Sequence, residues 1–310
     1  MKRGLPFLAL PLCLAVSLPA AAWNSFGHMM VASIAWHQLD STTQAKVTAL
    51  LKRNPDYDTW IAGVSAANRD EFAFMEAATW ADDIKSDSRY TDDNDKPDGP
   101  RAARNVGYAD VLRHRYWHYI DFPFSPDNTA LEDPDPTNLQ TRIHDFRLKL
   151  KSSSASQSVK SYDLVWLLHL VGDAHQPLHA TSRFIAALPH GDRGGGDVQV
   201  CKNSCSASKT PLHIFWDDVL GTSKKPASAR TAASQLSAAD PTAAAIDDEA
   251  VWLQESFALA KSDSYKQPPI QVGTGPFALS ASYKANAKKD AQERVALAGA
   301  RLAHLIEGCL

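Results

Sequence analysis

Apolar residues recur at helical spacing along most of the chain. The run GHMMVASIAWHQL from Gly27 carries one such stripe, and STTQAKVTALL repeats it with Ser41 in the N-cap position. The same spacing predicts a helix over about 70–85 and an amphipathic helix in NLQTRIHDFRLKLK, over 138–151. SYDLVWLLHLVGDAH is apolar nearly all round, the mark of a buried helix. The stretches 241–262 and 282–308 are helical by the same test. Period-two alternation is weak, and only GDVQVC and YWHYIDF offer it. The pattern predicts an all-α protein, a single mainly helical domain with at most a small β-hairpin. Loops are expected over 86–115, rich in Asp, Asn, Pro and Gly, over 181–211, which holds RGGGD and CKNSC, and at the start of 221–240. No internal repeat or clean linker divides the chain.

The first residues follow another pattern. Lys2 and Arg3 precede an apolar run from Leu5 to about Leu18, then Pro19 and the alanines 20–22. A charged start, an apolar middle and small residues at the end predict a cleaved signal peptide over residues 1–22. The run is short for a membrane anchor, and no later segment matches a span. Leu12 before Cys13 argues against a lipoprotein box. The expected product, 23–310, is secreted or periplasmic. Removing Lys2 and Arg3 takes the formal charge from −3 to −5, since the leader holds no other charged residue. That balance excludes a basic nucleic-acid coat, so a polyanion would be met through local charge such as metal ions. Export permits a disulfide between Cys201 and Cys205, with two unpaired thiols as the alternative, and leaves Cys309 odd.

The candidate chemistry lies in repeated pairings of imidazole and carboxylate. HLVGDAHQPLH sets His169 and Asp173 four apart on one helix face, with His179 beyond Pro177. LHIFWDD repeats the spacing with His213 and Asp217. TWADDIK offers Asp82 and YWHYID offers His118 and Asp121, while Trp23 stands five residues before His28. One such pair is as readily a hydrogen bond in a core. Five clusters in one chain suit zinc, whose nitrogen and oxygen ligands lie at about 2.0–2.2 Å. His175 reads as a packed, hydrogen-bonded histidine, and His37, His114, His144, His190 and His304 as ordinary ones.

WNSFGH, ATWADDIK, WHYID, HLVGDAHQPLH, GGGDVQV, LHIFWD and LAGARLAHLI occur in this order over nearly the whole mature chain. In these pieces the chain resembles the S1/P1 nuclease family, zinc-dependent single-strand nucleases of the phospholipase C/P1 nuclease fold. The resemblance implies three zinc ions. Trp23, through its freed α-amine and carbonyl oxygen, and His28 would hold one, with Asp173 bridging to a second held also by Asp82, His118 and His169. His179, His213 and Asp217 would hold the third. It also implies an endonuclease that cleaves single-stranded DNA and RNA to 5′-phosphorylated products by a zinc-generated hydroxide, with 3′-nucleotidase activity as an added property. Nucleic acid and nucleotides would be its partners, and the protein a monomer without a membrane anchor. Asp82, Lys85 and Asp121 would serve catalysis: Lys85 meets the phosphate, where many relatives carry Arg, and Asp121 orients a ligand or the attacking water. The RGGGD loop, Gly194 to Asp197, would let a nucleobase approach the backbone.

Two departures stand out. The segment 86–115 resembles an insertion that either folds over the cleft or lies on the surface, and Asp218 stands where several relatives carry Asn. The rival reading is a zinc phospholipase C or broader phosphoesterase. Those enzymes place their first His further from the Trp and end the third set with Glu, unlike His28 and Asp217 here. A zinc-binding protein without turnover would show His-rich tracts, and none is present.

Overall fold

The computed structural model describes residues 23–97, 99–266 and 268–310; the expected leader, 1–22, lies outside the described residues. Thirteen α-helices among those residues make the protein mainly helical, and no helix is long and apolar enough to cross a membrane. Three helices form the frame: the first, Ser25–Gln38, the central one, Gln157–Ala174, and the C-terminal one, Ala281–Glu307. The central helix is buried along nearly its whole length, as its unbroken apolar character requires. Leu139–Lys151 packs beside it, entered through a capping box between Asn138 and Thr141.

Local chemistry moves several expected boundaries. Asp40, not Ser41, caps Ser41–Leu51, because its carboxylate accepts from Thr43 N at 2.7 Å. The helix expected over 70–85 is broken into Arg69–Ala77 and the short turn Trp80–Asp83. Thr79 stands at the break, its Oγ1 2.9 Å from both Glu76 O and Asp83 Oδ2, a side chain competing with the helical ladder. The stretch 241–262 likewise divides into Pro241–Ala244 and Glu249–Leu259, the latter running into a π-turn at Ala260–Ser264. A helix at Pro226–Ala233 follows the loop that opens 221–240 and packs on the first helix.

Strands are short. Gln199–Cys201 pairs antiparallel with Thr210–Pro211 and parallel with Phe277–Ala278, and Pro123–Phe124 pairs with Ser182–Arg183. YWHYIDF is not itself a strand: Arg115–His118 is a 3₁₀ turn, entered through His114 at φ 46°, and pairing begins only at Pro123. A Cys201–Cys205 disulfide closes the turn after the middle strand, and Cys309 is a free, half-buried thiol. The larger hydrophobic core joins the long helices; a smaller one gathers Val198, Val200, Leu212, Trp216 and Tyr283 around the little sheet.

The segment 86–115 is not a loose excursion. Its backbone accepts from Trp117 Nε1 at Ala102 (2.8 Å) and from Tyr119 Oη at Asp95 (2.5 Å). His114 is fully buried between Asp110 and Asp93, each at 3.0 Å, and stacks on Trp117 at 3.6 Å. The histidine read as ordinary therefore pins this segment to the turn that carries His118. Carboxylates 4 and 21 residues away supply its partners, and only the first falls at helical spacing.

Candidate metal centre

His169 and Asp173 sit one turn apart on the central helix and point to the same side, as their spacing predicts. The first helix brings His28 onto them, its ring stacked on that of His169 at 3.8 Å. This approach depends on Gly172, where a β-carbon would lie 2.7 Å from His28 Nδ1. The helix break at Thr79 has a consequence here. Ala78, released from the ladder, turns its carbonyl to accept from His169 Nδ1 at 2.8 Å, and the next turn presents Asp82.

Five side chains converge. Asp173 lies 3.3 Å from His28, 3.1 Å from His118 and 3.3 Å from His169. Asp82 Oδ1 is 3.6 Å from His169 Nε2 and 3.8 Å from His118 Nδ1. Two overlapping triads, His28–Asp82–His169 and His118–His169–Asp173, are compact enough for a metal ion. The grouping differs from the expected one in drawing His28 toward Asp82 as well as toward Asp173.

A second group, His179, His213 and Asp217, rests on the smaller core. Pro177 ends the central helix and opens the 3₁₀ turn Pro177–Ala180 that carries His179, while His213 and Asp217 share the short helix Leu212–Asp217. His179 Nδ1 donates to His118 O at 2.7 Å and His213 Nδ1 to Gly194 O at 2.9 Å. A carbonyl only accepts, so each ring carries its proton on Nδ1. Their Nε2 atoms lie 3.0 Å apart. In neutral rings these are two facing lone pairs, which repel unless a cation stands between them. The edge of a zinc tetrahedron with bonds of about 2.0–2.1 Å is about 3.3 Å, close to this spacing.

Buried polar atoms also point to a metal. Both ring nitrogens of His28, His118 Nε2, Asp173 Oδ1 and Asp217 Oδ2 are buried without a hydrogen bond. Burial, with His169 beside it, lowers His28 to about 4; burial, with Lys85 nearby, lowers His118 to about 3. Both rings are then neutral and able to ligate. Burial opposes ionisation of Asp82 and Asp173. Lys85 and His169 nevertheless hold Asp82, and the surrounding histidines Asp173, well below the usual carboxylate range. Asp217 differs: burial pushes it well above that range, although Gln176 Nε2 donates to its Oδ1 at 2.7 Å. The residues therefore fit zinc, with mixed nitrogen and oxygen donors in compact, dry groups.

The remaining expected residues lie around these groups. Trp23 is fully buried, and Asn24 N donates to Asp217 O at 3.4 Å, so this end of the chain docks beside the second group. Lys85 is buried, with Nζ 2.6 Å from Asp82 Oδ1. Asp121 is half-buried on the extended stretch after His118, and burial, with Asp192 and Asp135 nearby, raises it to about 7. His175 is packed and bonded to Val171 O at 2.8 Å and Arg301 Nη1 at 3.0 Å. The glycines of RGGGD turn inward, Gly194 toward His213 and Gly195 N toward Asp192 at 3.1 Å. Asp218 accepts from Asn24 Nδ2 at 2.9 Å. Sequence reasoning missed Gln176, Gly172 and the Gly194 carbonyl. All three lie inside or beside the quoted motifs, and only spatial proximity shows their use.

Comparison with known proteins agrees with this geometry. The S1/P1 nuclease family model matches residues 23–310. Endonuclease 4 of Arabidopsis thaliana is 26% identical over 206 residues, covering 65% of this chain and 56% of that protein. Nuclease S1 of Aspergillus oryzae (strain ATCC 42149 / RIB 40) is 26% identical over 225 residues, 70% of this chain and 60% of its own length. Endonuclease 3 of Arabidopsis thaliana is 27% identical over 206 residues, 65% and 55% respectively. The chain thus spans somewhat over half the length of these relatives. With the family model matched from Trp23 to Leu310, the chain belongs to the S1/P1 nuclease family.

Proposed function

We propose that residues 23–310 form an exported, zinc-dependent endonuclease that hydrolyses single-stranded DNA and RNA to 5′-phosphorylated products. The observation that carries this reading is the convergence of eight imidazole and carboxylate side chains into metal-sized groups. Family membership supports the substrate class. Three zinc ions are inferred: two shared among His28, Asp82, His118, His169 and Asp173, and one held by His179, His213 and Asp217. Zinc, when bound, supplies Lewis-acid stabilisation of phosphoryl charge and a nucleophile at neutral pH.

The chain's own groups have distinct tasks. His169, His179 and His213 keep their Nδ1 protons on backbone carbonyls, which leaves Nε2 to face the metal. Asp173 spans three imidazoles, so its two oxygens can serve two ions. Lys85 meets the substrate phosphate as a point charge beside Asp82. Asp121, on the stretch after His118, would orient a ligand or the attacking water, and burial, with Asp192 and Asp135 nearby, raises its carboxyl. Trp23 becomes the processed terminus. Its amine and carbonyl oxygen would hold one zinc together with His28 and Asp173, a donor pair that no internal residue offers, with the buried indole fixing the terminus.

The test is to incubate secreted, N-terminally verified protein with single-stranded DNA, RNA and phosphatidylcholine, with and without a zinc chelator. Chelator-sensitive release of 5′-phosphorylated nucleotides is expected. Intact nucleic acid with release of diacylglycerol overturns the substrate assignment in favour of a phospholipase. One alanine added before Trp23 should remove one zinc and lower activity about 100-fold; unchanged activity overturns the terminal-ligand assignment.

A further inference from the structure

Behind the second candidate metal group lies a buried charge network built on Arg183 and Asp192. Arg183 and Asp192 are both fully buried, Arg183 Nε 3.1 Å from Asp192 Oδ2. Asp192 also accepts from Arg183 N at 3.0 Å, Gly195 N at 3.1 Å and Tyr265 Oη at 2.9 Å. Arg183 is held from the other side by Ile270 O and by Gly273 O at 2.8 Å, and stacks over the Tyr265 ring at 5.2 Å. A buried ion pair is expensive unless its remaining donors and acceptors are satisfied, and here all three Arg183 side-chain nitrogens and both Asp192 oxygens have a partner.

The network holds one short loop. Gly195, bonded to Asp192, follows the residue whose carbonyl accepts from His213 Nδ1. Gly194 is at φ 57°, and a β-carbon there would lie 2.1 Å from Leu178 O and 3.2 Å from His213 Nδ1. The loop is therefore wedged between the chain entering His179 and the ring of His213. Arg183 lies four residues after His179 on the strand that leaves it. The same carboxylate thus ties the strand behind one imidazole to the loop that orients the other.

We propose that Asp192 is a positioning residue for the His179–His213–Asp217 group. It sets the Gly194 carbonyl, and through it the proton position and orientation of His213. The inference rests on reading that group as a metal site. It predicts that this site can be weakened alone, because Asp192 does not touch the group formed by His28, Asp82, His118, His169 and Asp173.

The experiment uses the full mature chain, parent and Asp192→Asn, which keeps the shape and removes the charge. Zn²⁺ is titrated into metal-free protein, and the His213 tautomer is read in that protein by nitrogen-15 NMR of the ring. The expected result is a 10–100-fold loss of affinity for one zinc per chain, the others unchanged, with His213 no longer held as the Nδ1–H form. Equal weakening of every zinc, or unchanged affinity with the Nδ1–H form kept, overturns the proposal. Should Asp192→Asn not fold, Tyr265→Phe removes one donor from the same carboxylate and is read by the same two quantities. A smaller loss confined to the same zinc supports the role, and no selective loss overturns it. If the parent binds no zinc, the metal reading fails, while the tautomer comparison still decides whether Asp192 orients His213.

Discussion

The two candidate metal groups are built by different means. The group formed by His28, Asp82, His118, His169 and Asp173 is placed mostly by helix packing: two long helices cross at Gly172, and a broken helix supplies Asp82. The His179–His213–Asp217 group stands on a 3₁₀ turn and a six-residue helix, and backbone carbonyls and Gln176 orient it. Charge differs as well. Lys85 and histidines hold Asp82 and Asp173 well below the usual carboxylate range, whereas burial pushes Asp217 well above it despite the Gln176 amide and His213 Nε2 at 3.7 Å. Packing fixes the first group, yet four of the five orphaned polar atoms of the candidate ligands lie there, both His28 ring nitrogens, His118 Nε2 and Asp173 Oδ1; the second has Asp217 Oδ2. The two are joined at the His118 carbonyl, which accepts from His179 Nδ1.

The strongest test of this division is Asp173→Ala. It removes the carboxylate shared by three histidines. Zinc per chain should fall from three to one, leaving the second group filled, with kcat/KM on single-stranded DNA down by at least about 1000-fold. Loss of all three ions would show that the groups are one cooperative unit, and the comparison would fail.

A matched pair of glycine substitutions sharpens it. Gly194→Ala forces a β-carbon to 2.1 Å from a backbone oxygen at a positive φ, so the loop itself must move. A loss of about 1–3 kcal/mol in stability is expected, with one zinc weakened and activity down about 100-fold. Gly172→Ala sets a β-carbon 2.7 Å from the fully buried His28 ring, which is stacked on His169 and must shift, against up to about 1 kcal/mol gained in helix propensity. Its stability should fall by less than that of Gly194→Ala, where backbone must move, and its activity by about 10–100-fold. Thermal melts and zinc analysis read both; a larger stability loss at Gly172 reverses the assignment of which group tolerates change.

This contrast also explains what could be read from sequence. Residues placed by regular helices were legible, because His169 and Asp173 need only a four-residue period to share a face. The ligand motifs could be picked out wherever they fell, but not what surrounds them. Thr79 breaks a helix by a side-chain bond that competes with ordinary propensity. The Gly194 carbonyl reaches His213 across 19 residues, and Asp93 reaches His114 across 21. Such contacts have no period. The mainly helical class survives these local errors because the three frame helices alone carry nearly half of the larger core.

Asn24 joins the two regions and gives a smaller effect. Its Oδ1 caps the first helix at Phe26 N (3.0 Å), while Nδ2 donates to Asp218 at 2.9 Å and Gly221 O at 2.7 Å. Asn24→Ala should cost about 1–2 kcal/mol. Asn24→Asp keeps the cap but sets a carboxylate against Asp218, so it should retain the helix and lose the tie. If Asn24→Asp melts with the parent, the cap alone matters and the link between regions contributes nothing measurable.

The smallest effect separates helix stability from chemistry. Asp163 lies on the central helix ten residues before Asp173, and burial raises it to about 7 although Asn105 Nδ2 donates to it at 2.5 Å. The folded value is above the unfolded one near 3.8, so the fold favours the protonated form. That contribution is fully present below about pH 4 and is lost as pH rises through about 7. Asp163→Asn keeps an uncharged acceptor at every pH. Its Tm should exceed the parent's by roughly 2–4 °C above pH 7, with the advantage gone at pH 4 and zinc content unchanged throughout. An advantage that is constant with pH would mean that Asp163 is not the group whose ionisation strains the helix.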